Sequence, residues 1–215
     1  MTVAAKICGL TDAAAVSAAV DNGAAYVGFV FYPPSPRNVS PEQAAELAAN
    51  VPKTVRKVGL FVDPADELIQ DVLDALSLDL IQLHGSETPE RVRNIRGKFG
   101  LPVMKAIKIG EKSSVADGYS YYNVADMILF DAQERKEMEN ALPGGNGVVF
   151  DWLKIADIEL SVPYMLAGGL TADNVAQAVR FTGAMIVDVS SGVESSPGKK
   201  DPEKIAAFIK AVKEI

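Results

Sequence analysis

The chain is poor in the residues that most often announce a chemistry. Its 215 residues include one cysteine, Cys8, one histidine, His84, and one tryptophan. A single thiol excludes an internal disulfide framework, and one thiol with one distant imidazole gives no cluster of zinc-ligand spacing, so no metal site is expected. No apolar run approaches the roughly 18 residues that a membrane span needs, and no apolar stretch behind a basic front marks a leader, so neither a membrane partner nor processing is expected. Basic residues are also in the minority. With 21 Lys and Arg against 28 Asp and Glu, the net charge of −7 repels a phosphate backbone on average and excludes broad nucleic-acid binding. A small anionic substrate stays admissible if backbone N–H groups or one well-placed Arg hold it locally. The remaining composition, 48% hydrophobic and 23% charged, is that of an ordinary globular protein, and the cytoplasm is the simplest compartment for it.

What is present is a repeated rhythm. Eight short apolar runs are legible: Val3 to Cys8, Tyr26 to Phe31, Lys57 to Phe61, Leu80 to His84, Val103 to Ile107, Met127 to Phe130, Tyr164 to Ala167 and Met185 to Val189. Runs this short and this apolar suit strands buried on both faces, as in parallel sheets. Helix starts lie between them. Ser40-Pro41-Glu42-Gln43 reads as an N-cap, a first-turn proline and a capping-box partner, and Asp63-Pro64, Thr88-Pro89 and Asp201-Pro202 carry the same cap-then-proline pattern. Ile69, Val72, Leu73 and Leu76, and later Ile205, Phe208, Ile209 and Val212, recur at helical spacing, while Gly23 and Gly100 supply stops. Eight strand-then-helix units predict an α/β fold, a closed eight-stranded parallel (β/α)8 barrel. An open doubly wound sheet is the rival, but it normally carries a glycine fingerprint after its first strand, where this chain has the single Gly9. No linker divides the sequence, so residues 1–215 read as one barrel domain.

In such a barrel the residues just after each strand share one face, where barrel enzymes do their chemistry. Cys8 closes the first run and Asp131 the sixth. Alone, the thiol reads first as a small core residue, and the carboxyl equally as a helix cap. Together, a thiol and a carboxyl at one barrel mouth offer a base and an acid, provided their surroundings bring both toward neutrality. Ala167-Gly168-Gly169-Leu170-Thr171 follows the seventh run, and Ser190-Ser191-Gly192-Val193 the eighth. Small residues leave backbone N–H groups open there, at the two loops where barrels commonly hold phosphate. Prolines 33, 34 and 36 stiffen the loop carrying Arg37, whose fork suits a carboxylate as well as solvent. His84 follows the fourth run as a pocket-lining residue, and Pro143-Gly144-Gly145-Asn146-Gly147 reads as a cover over the mouth or a plain loop.

These stretches together resemble the phosphoribosylanthranilate isomerase family of tryptophan biosynthesis. The matching pieces are Lys6-Ile7-Cys8-Gly9, Gly28-Phe29-Val30-Phe31 with Ser35-Pro36-Arg37, Gly59-Leu60-Phe61-Val62, Gln82-Leu83-His84-Gly85, Phe130-Asp131, Gly144-Gly145-Asn146-Gly147 with Phe150-Asp151-Trp152, Ala167-Gly168-Gly169-Leu170, and Asp188 to Glu194. They occur in the family's order along the whole chain. The resemblance implies a cofactor-free isomerisation of an amino-aldose to an amino-ketose, with Asp131 as general acid and Cys8 as general base. It further implies that Arg37 meets the anthranilate carboxylate, that Gly168, Gly169, Ser191 and Gly192 hold the phosphate, and that Asp188 and His84 line the pocket. The expected partner is a small phosphorylated anion, and the chain is expected to be a monomer or a homodimer. Asn146 and Val148 depart from the family pattern, where a Thr and a polar residue are usual. Two other readings remain open at this stage: a related sugar isomerase of histidine biosynthesis, which is expected to use two carboxylates, and a phosphate-binding barrel without turnover.

Overall fold

The computed structural model describes residues 2–110, 115–132, 144, 145, 147, 151–156, 158 and 160–215. Each of the eight apolar runs forms a strand: β1 (Ala4–Cys8), β2 (Tyr26–Phe31), β3 (Arg56–Phe61), β4 (Leu80–Leu83), β5 (Val103–Ile109), β6 (Met127–Ala132), β7 (Tyr164–Leu166) and β8 (Ile186–Val189). They pair in chain order, and β8 returns to β1 in parallel to close the barrel. Alternation along each strand sends one set of side chains inward and the other toward the helices. Tyr26, Val58, Leu80, Met104, Leu129 and Met165 form one buried cluster in the interior. Ile7, Val27, Phe29, Ile81 and Phe130 belong to a larger cluster that also takes in the buried faces of the helices.

Six α-helices are described: α1 (Ala13–Asp21), α2 (Pro41–Ala48), α3 (Asp66–Ala75), α4 (Pro89–Phe99), α5 (Val175–Thr182) and α6 (Pro202–Lys213). Ser40 and Gln43 make the expected reciprocal capping box, Thr88 accepts from the Arg91 N–H, and Asp201 accepts from Glu203 and Lys204. Gly100 ends α4 in the left-handed conformation at φ 67°, as a C-terminal glycine should. Ile205, Phe208, Ile209 and Val212 form the buried stripe of α6.

Three expectations need correction. The Asp63-Pro64 pair does not start a helix: α3 begins at Asp66 with Ala65 as its uncapped first flank. Asp63 instead sits at φ 45° with its carboxylate taken by the Ser86 N–H at 2.7 Å, so a contact from the next loop outcompetes the local cap. Second, the described segments after β5 and between β6 and β7 contain 3-10 turns, Val115–Tyr121 and Trp152–Ile155, in place of α-helices. Third, β8 is followed by a 3-10 turn, Ser191–Val193, and an antiparallel hairpin of β9 (Glu194–Ser196) and β10 (Lys199–Lys200) before α6 begins. Asn146 and Val148, singled out in the sequence, lie outside the described residues, as does Pro143.

Candidate active site

The C-terminal ends of the strands surround a cavity that opens to solvent, about 770 Å³ with the open mouth counted in. Cys8, Arg37, His84, Asp131, Gly168, Gly169, Asp188, Ser191 and Gly192 all line it, so every residue selected from the sequence faces one space. Val30, Leu60 and Val62 add an apolar wall beside Cys8, suited to a flat carbon ring.

Cys8 is inward on β1, two residues above Lys6 on the same side of the strand. Gly28 on β2 makes this packing possible, because a Cβ there would stand 3.1 Å from Cys8 Sγ and 3.3 Å from Lys6 Nζ. Lys6 is fully buried and donates to Asp188 Oδ1 at 2.8 Å, the register partner directly beside it on β8. Burial pushes the Cys8 thiol above its ordinary range, Lys6 draws it back down, Asp188 pushes it up and Lys200 draws it down again. Burial also works against the Lys6 charge, but the anions beside it, Asp188 and ionised Cys8, more than offset this and hold its ammonium above the usual range.

Asp131 projects from β6 with both oxygens engaged. Oδ1 accepts from the Ala132 N–H at 2.8 Å, and Oδ2 lies 3.1 Å from His84 Nε2. The other ring nitrogen, Nδ1, is 2.9 Å from Gln82 Nε2. With Gln82 donating to Nδ1, Nε2 is the ring's hydrogen-bond donor to Asp131 Oδ2, and that contact fixes the carboxyl's direction. A Cβ on Gly144 would stand 2.6 Å from His84 Nε2 and 3.1 Å from Asp131 Oδ2, so Gly144 lies directly against this pair.

Arg37 is not a free fork. Nε and Nη2 grip Glu194 at 2.7 and 2.9 Å, and Nη2 also reaches the Gly145 carbonyl at 3.1 Å. Glu194 receives Lys200 Nζ at 2.6 Å as well, because the β9–β10 register sets these two residues opposite each other. Burial alone would raise Glu194; the Arg37 hydrogen bond and Lys200 outweigh it and hold the carboxyl below its usual range. Lys200 is itself pulled below the usual range by burial, against which Glu194 pushes. Gly9 at φ 77° completes the arrangement, since a Cβ there would meet Arg37 Cδ at 2.7 Å.

The loops after β7 and β8 meet at the other side of the cavity. Gly168 and Gly169 take φ of 89° and 63°, and the Asn174 side chain ties their loop by accepting from the Thr171 N–H and donating to the Gly169 carbonyl. Gly192 packs so closely that a Cβ would lie 1.9 Å from the Leu170 carbonyl oxygen. Lys200 holds Ser190 through its carbonyl at 3.0 Å and its hydroxyl at 3.2 Å. Sequence reasoning missed the supporting roles of Lys6, Gln82, Glu194 and Lys200. A Lys inside an apolar strand was the available signal for Lys6, since such a cation is buried only with a partner.

A closed parallel (β/α)8 barrel with a thiol, a carboxyl and two glycine-bearing loops at the C-terminal mouth defines a barrel enzyme class whose chemistry sits at that face. The family model described as N-(5'phosphoribosyl)anthranilate (PRA) isomerase matches residues 5–211. The N-(5'-phosphoribosyl)anthranilate isomerase of Paramagnetospirillum magneticum is 55% identical over 213 residues, covering 99% of this chain and 98% of the relative. A solved phosphoribosyl anthranilate isomerase from Thermotoga maritima superposes with a TM-score of 0.84 at 36% identity over the whole of both chains. Another solved isomerase, in complex with reduced 1-(o-carboxyphenylamino)-1-deoxyribulose 5-phosphate, gives a TM-score of 0.81 at 36% identity with both chains fully covered. This chain belongs to the N-(5'-phosphoribosyl)anthranilate isomerase family.

Proposed function

We propose that this chain acts as phosphoribosylanthranilate isomerase in tryptophan biosynthesis by general acid–base catalysis, with Asp131 as the acid and Cys8 as the base. The reaction converts N-(5-phosphoribosyl)anthranilate into 1-(2-carboxyphenylamino)-1-deoxyribulose 5-phosphate. One observation carries the assignment of roles: Cys8 and Asp131, from strands that are not neighbours, border the same cavity as the β7 and β8 loops.

Protonated Asp131 gives its proton to the ribose ring oxygen as the C1–O bond breaks, and the aniline nitrogen lone pair forms the C1=N iminium. The iminium acidifies the C2–H bond. Cys8 thiolate takes that proton, the bonding pair becomes C1=C2, and the nitrogen recovers its lone pair. The resulting enolamine gains a proton at C1 and loses one from the C2 hydroxyl to give the ketone. Acid and base suffice for this sequence, because the substrate's own nitrogen supplies the electron sink. The β7 and β8 loops take the phosphate through Gly168, Gly169, Ser191 and Gly192, and Val30, Leu60 and Val62 receive the aromatic ring. Arg37, held in place by Glu194, turns its outer guanidinium edge to the anthranilate carboxylate. His84 steers Asp131, and Asp188 anchors Lys6 beneath the site. We take the cytoplasm as the compartment, residues 1–215 as one domain and a monomer or homodimer as the working state.

The test follows loss of anthranilate fluorescence on fresh substrate with the wild type and with Asp131→Asn. Turnover by the wild type, with Asp131→Asn nearly inactive yet still binding product, supports the reading. Equal turnover by both would remove Asp131 from the role of acid.

A further inference from the structure

The interior of this barrel is lined largely by apolar side chains such as Val58, Met104, Leu129 and Met165, yet among them it holds a buried ion pair, Lys6 with Asp188. Such a pair is a weak source of stability, because taking two charges out of water costs about as much as their attraction returns. Methionine or leucine, already used in this interior, would fill the same space. The pair stands directly under the thiol. Lys6 shares the inward side of β1 with Cys8, both press on Gly28, and Asp188 is fixed beside Lys6 by strand register. We propose that Lys6 is a positioning residue whose buried cation supports ionisation of Cys8, and that Asp188 holds Lys6 in place while limiting how far that ionisation goes. The proposal rests on Cys8 being the base of the reaction, but its test does not depend on turnover.

The groups facing the thiol give the two partners opposite signs. Lys6 from β1 favours the thiolate, Asp188 from β8 disfavours it, and Lys200 from β10 favours it more weakly than Lys6. Val30 from β2 and Leu60 from β3 contribute no charge. In the folded wild type the thiol is held above its ordinary range by burial, so a supporting cation is what lets a buried cysteine serve as a base.

Because Cys8 is the one cysteine in the chain, its thiolate is read cleanly as ultraviolet absorbance near 240 nm, taken as the difference from a Cys8→Ala variant that cancels the tyrosines. Lys6→Met is expected to move the thiol midpoint to higher pH and to lower kcat/KM about tenfold or more at pH 8. Asp188→Asn is expected to move the midpoint to lower pH, since Cys8 becomes the nearest anion available to Lys6. If burying a lone Asp188 prevents Lys6→Met from folding, Lys6→Met/Asp188→Leu restores an apolar interior, and its midpoint is expected above that of Asp188→Asn. A folded Lys6→Met that titrates like the wild type would overturn the proposal, as would a double variant whose midpoint is no higher than that of Asp188→Asn, or midpoints that move the same way in both single variants. Full turnover by Cys8→Ser with the midpoints ordered as stated would remove the base assignment and leave the electrostatic linkage standing.

Discussion

At Cys8 two influences oppose each other: burial favours the neutral thiol, and the cation two residues away favours the thiolate. A serine in this position keeps the size and loses the acidity, so Cys8→Ser is predicted to cost about 10² to 10⁴ in kcat while leaving product affinity close to wild type. Arg37 is a different kind of residue. Its Nε and one terminal nitrogen serve Glu194, so its direction is set before any ligand arrives. Arg37→Ala is predicted to raise KM at least tenfold with a smaller effect on kcat, and Glu194→Gln to raise KM less, through a loosened Arg37. The double variant should then be less than additive, since the two residues share the Arg37–Glu194 contact while Glu194 keeps Lys200 as a second partner; simple additivity would show that Glu194 acts through Lys200 instead. Cys8, Asp131, Arg37 and His84 were legible in the sequence because each lies at the end of an apolar run or in the loop after one and carries a distinctive group. Their supports were not. Lys6 meets a partner 182 positions away and Arg37 one 157 positions away, and no local pattern encodes either pairing.

Among the elements, strands and caps were legible where local chemistry decides. Ser40 and Gln43 need only each other to start α2, and the cap they form is exposed, with neither side chain lining the cavity. Ser40→Ala is therefore predicted to cost about 1 kcal/mol of stability with kcat and KM unchanged; a changed KM would link α2 to the site. Asp63 shows the converse. Its side chain carries the same cap signal, but a neighbouring loop offers a better donor, and only the closed barrel brings that loop near. The hairpin after β8 was illegible for a related reason: β9 and β10 have three and two residues, and their value lies in setting Lys200 against Glu194. Its approach to the rest of the mouth is tight. A methyl on Gly192 would strike the Leu170 carbonyl, so Gly192→Ala must part the β7 and β8 loops and is predicted to raise KM for the phosphorylated substrate more than it lowers kcat. Unchanged KM would place the phosphate elsewhere.

Over the whole molecule, the titrating groups predict weakness toward base. Burial raises Tyr121, Tyr122 and Tyr164, with Tyr122 pushed up to about 12, and Cys8 is raised as well. Above the unfolded values, about 8.5 for a thiol and about 10 for tyrosine, the folded chain keeps protons that the unfolded chain has released. Stability therefore falls as pH rises through that range, and the raised Lys6 acts in the same direction, while the lowered Lys200 opposes it. The Tyr122 hydroxyl is buried without a hydrogen-bond partner among the described residues, so Tyr122→Phe is predicted to be close to neutral at pH 8 and to reduce the loss of urea midpoint between pH 8 and 11. An identical loss in wild type and variant would contradict this.

Removal of the sugar C2 proton by a base is the step that substrate carrying deuterium at ribose C2 reads out. In ordinary water such removal gives a primary isotope effect once chemistry limits the rate, and a ketose that has lost much of the label to solvent. Complete transfer of the deuterium to C1 of the product, equally in the wild type and in the residual turnover of Cys8→Ser, would mean that hydrogen moves within the substrate without Cys8, and would rule out Cys8 as the base.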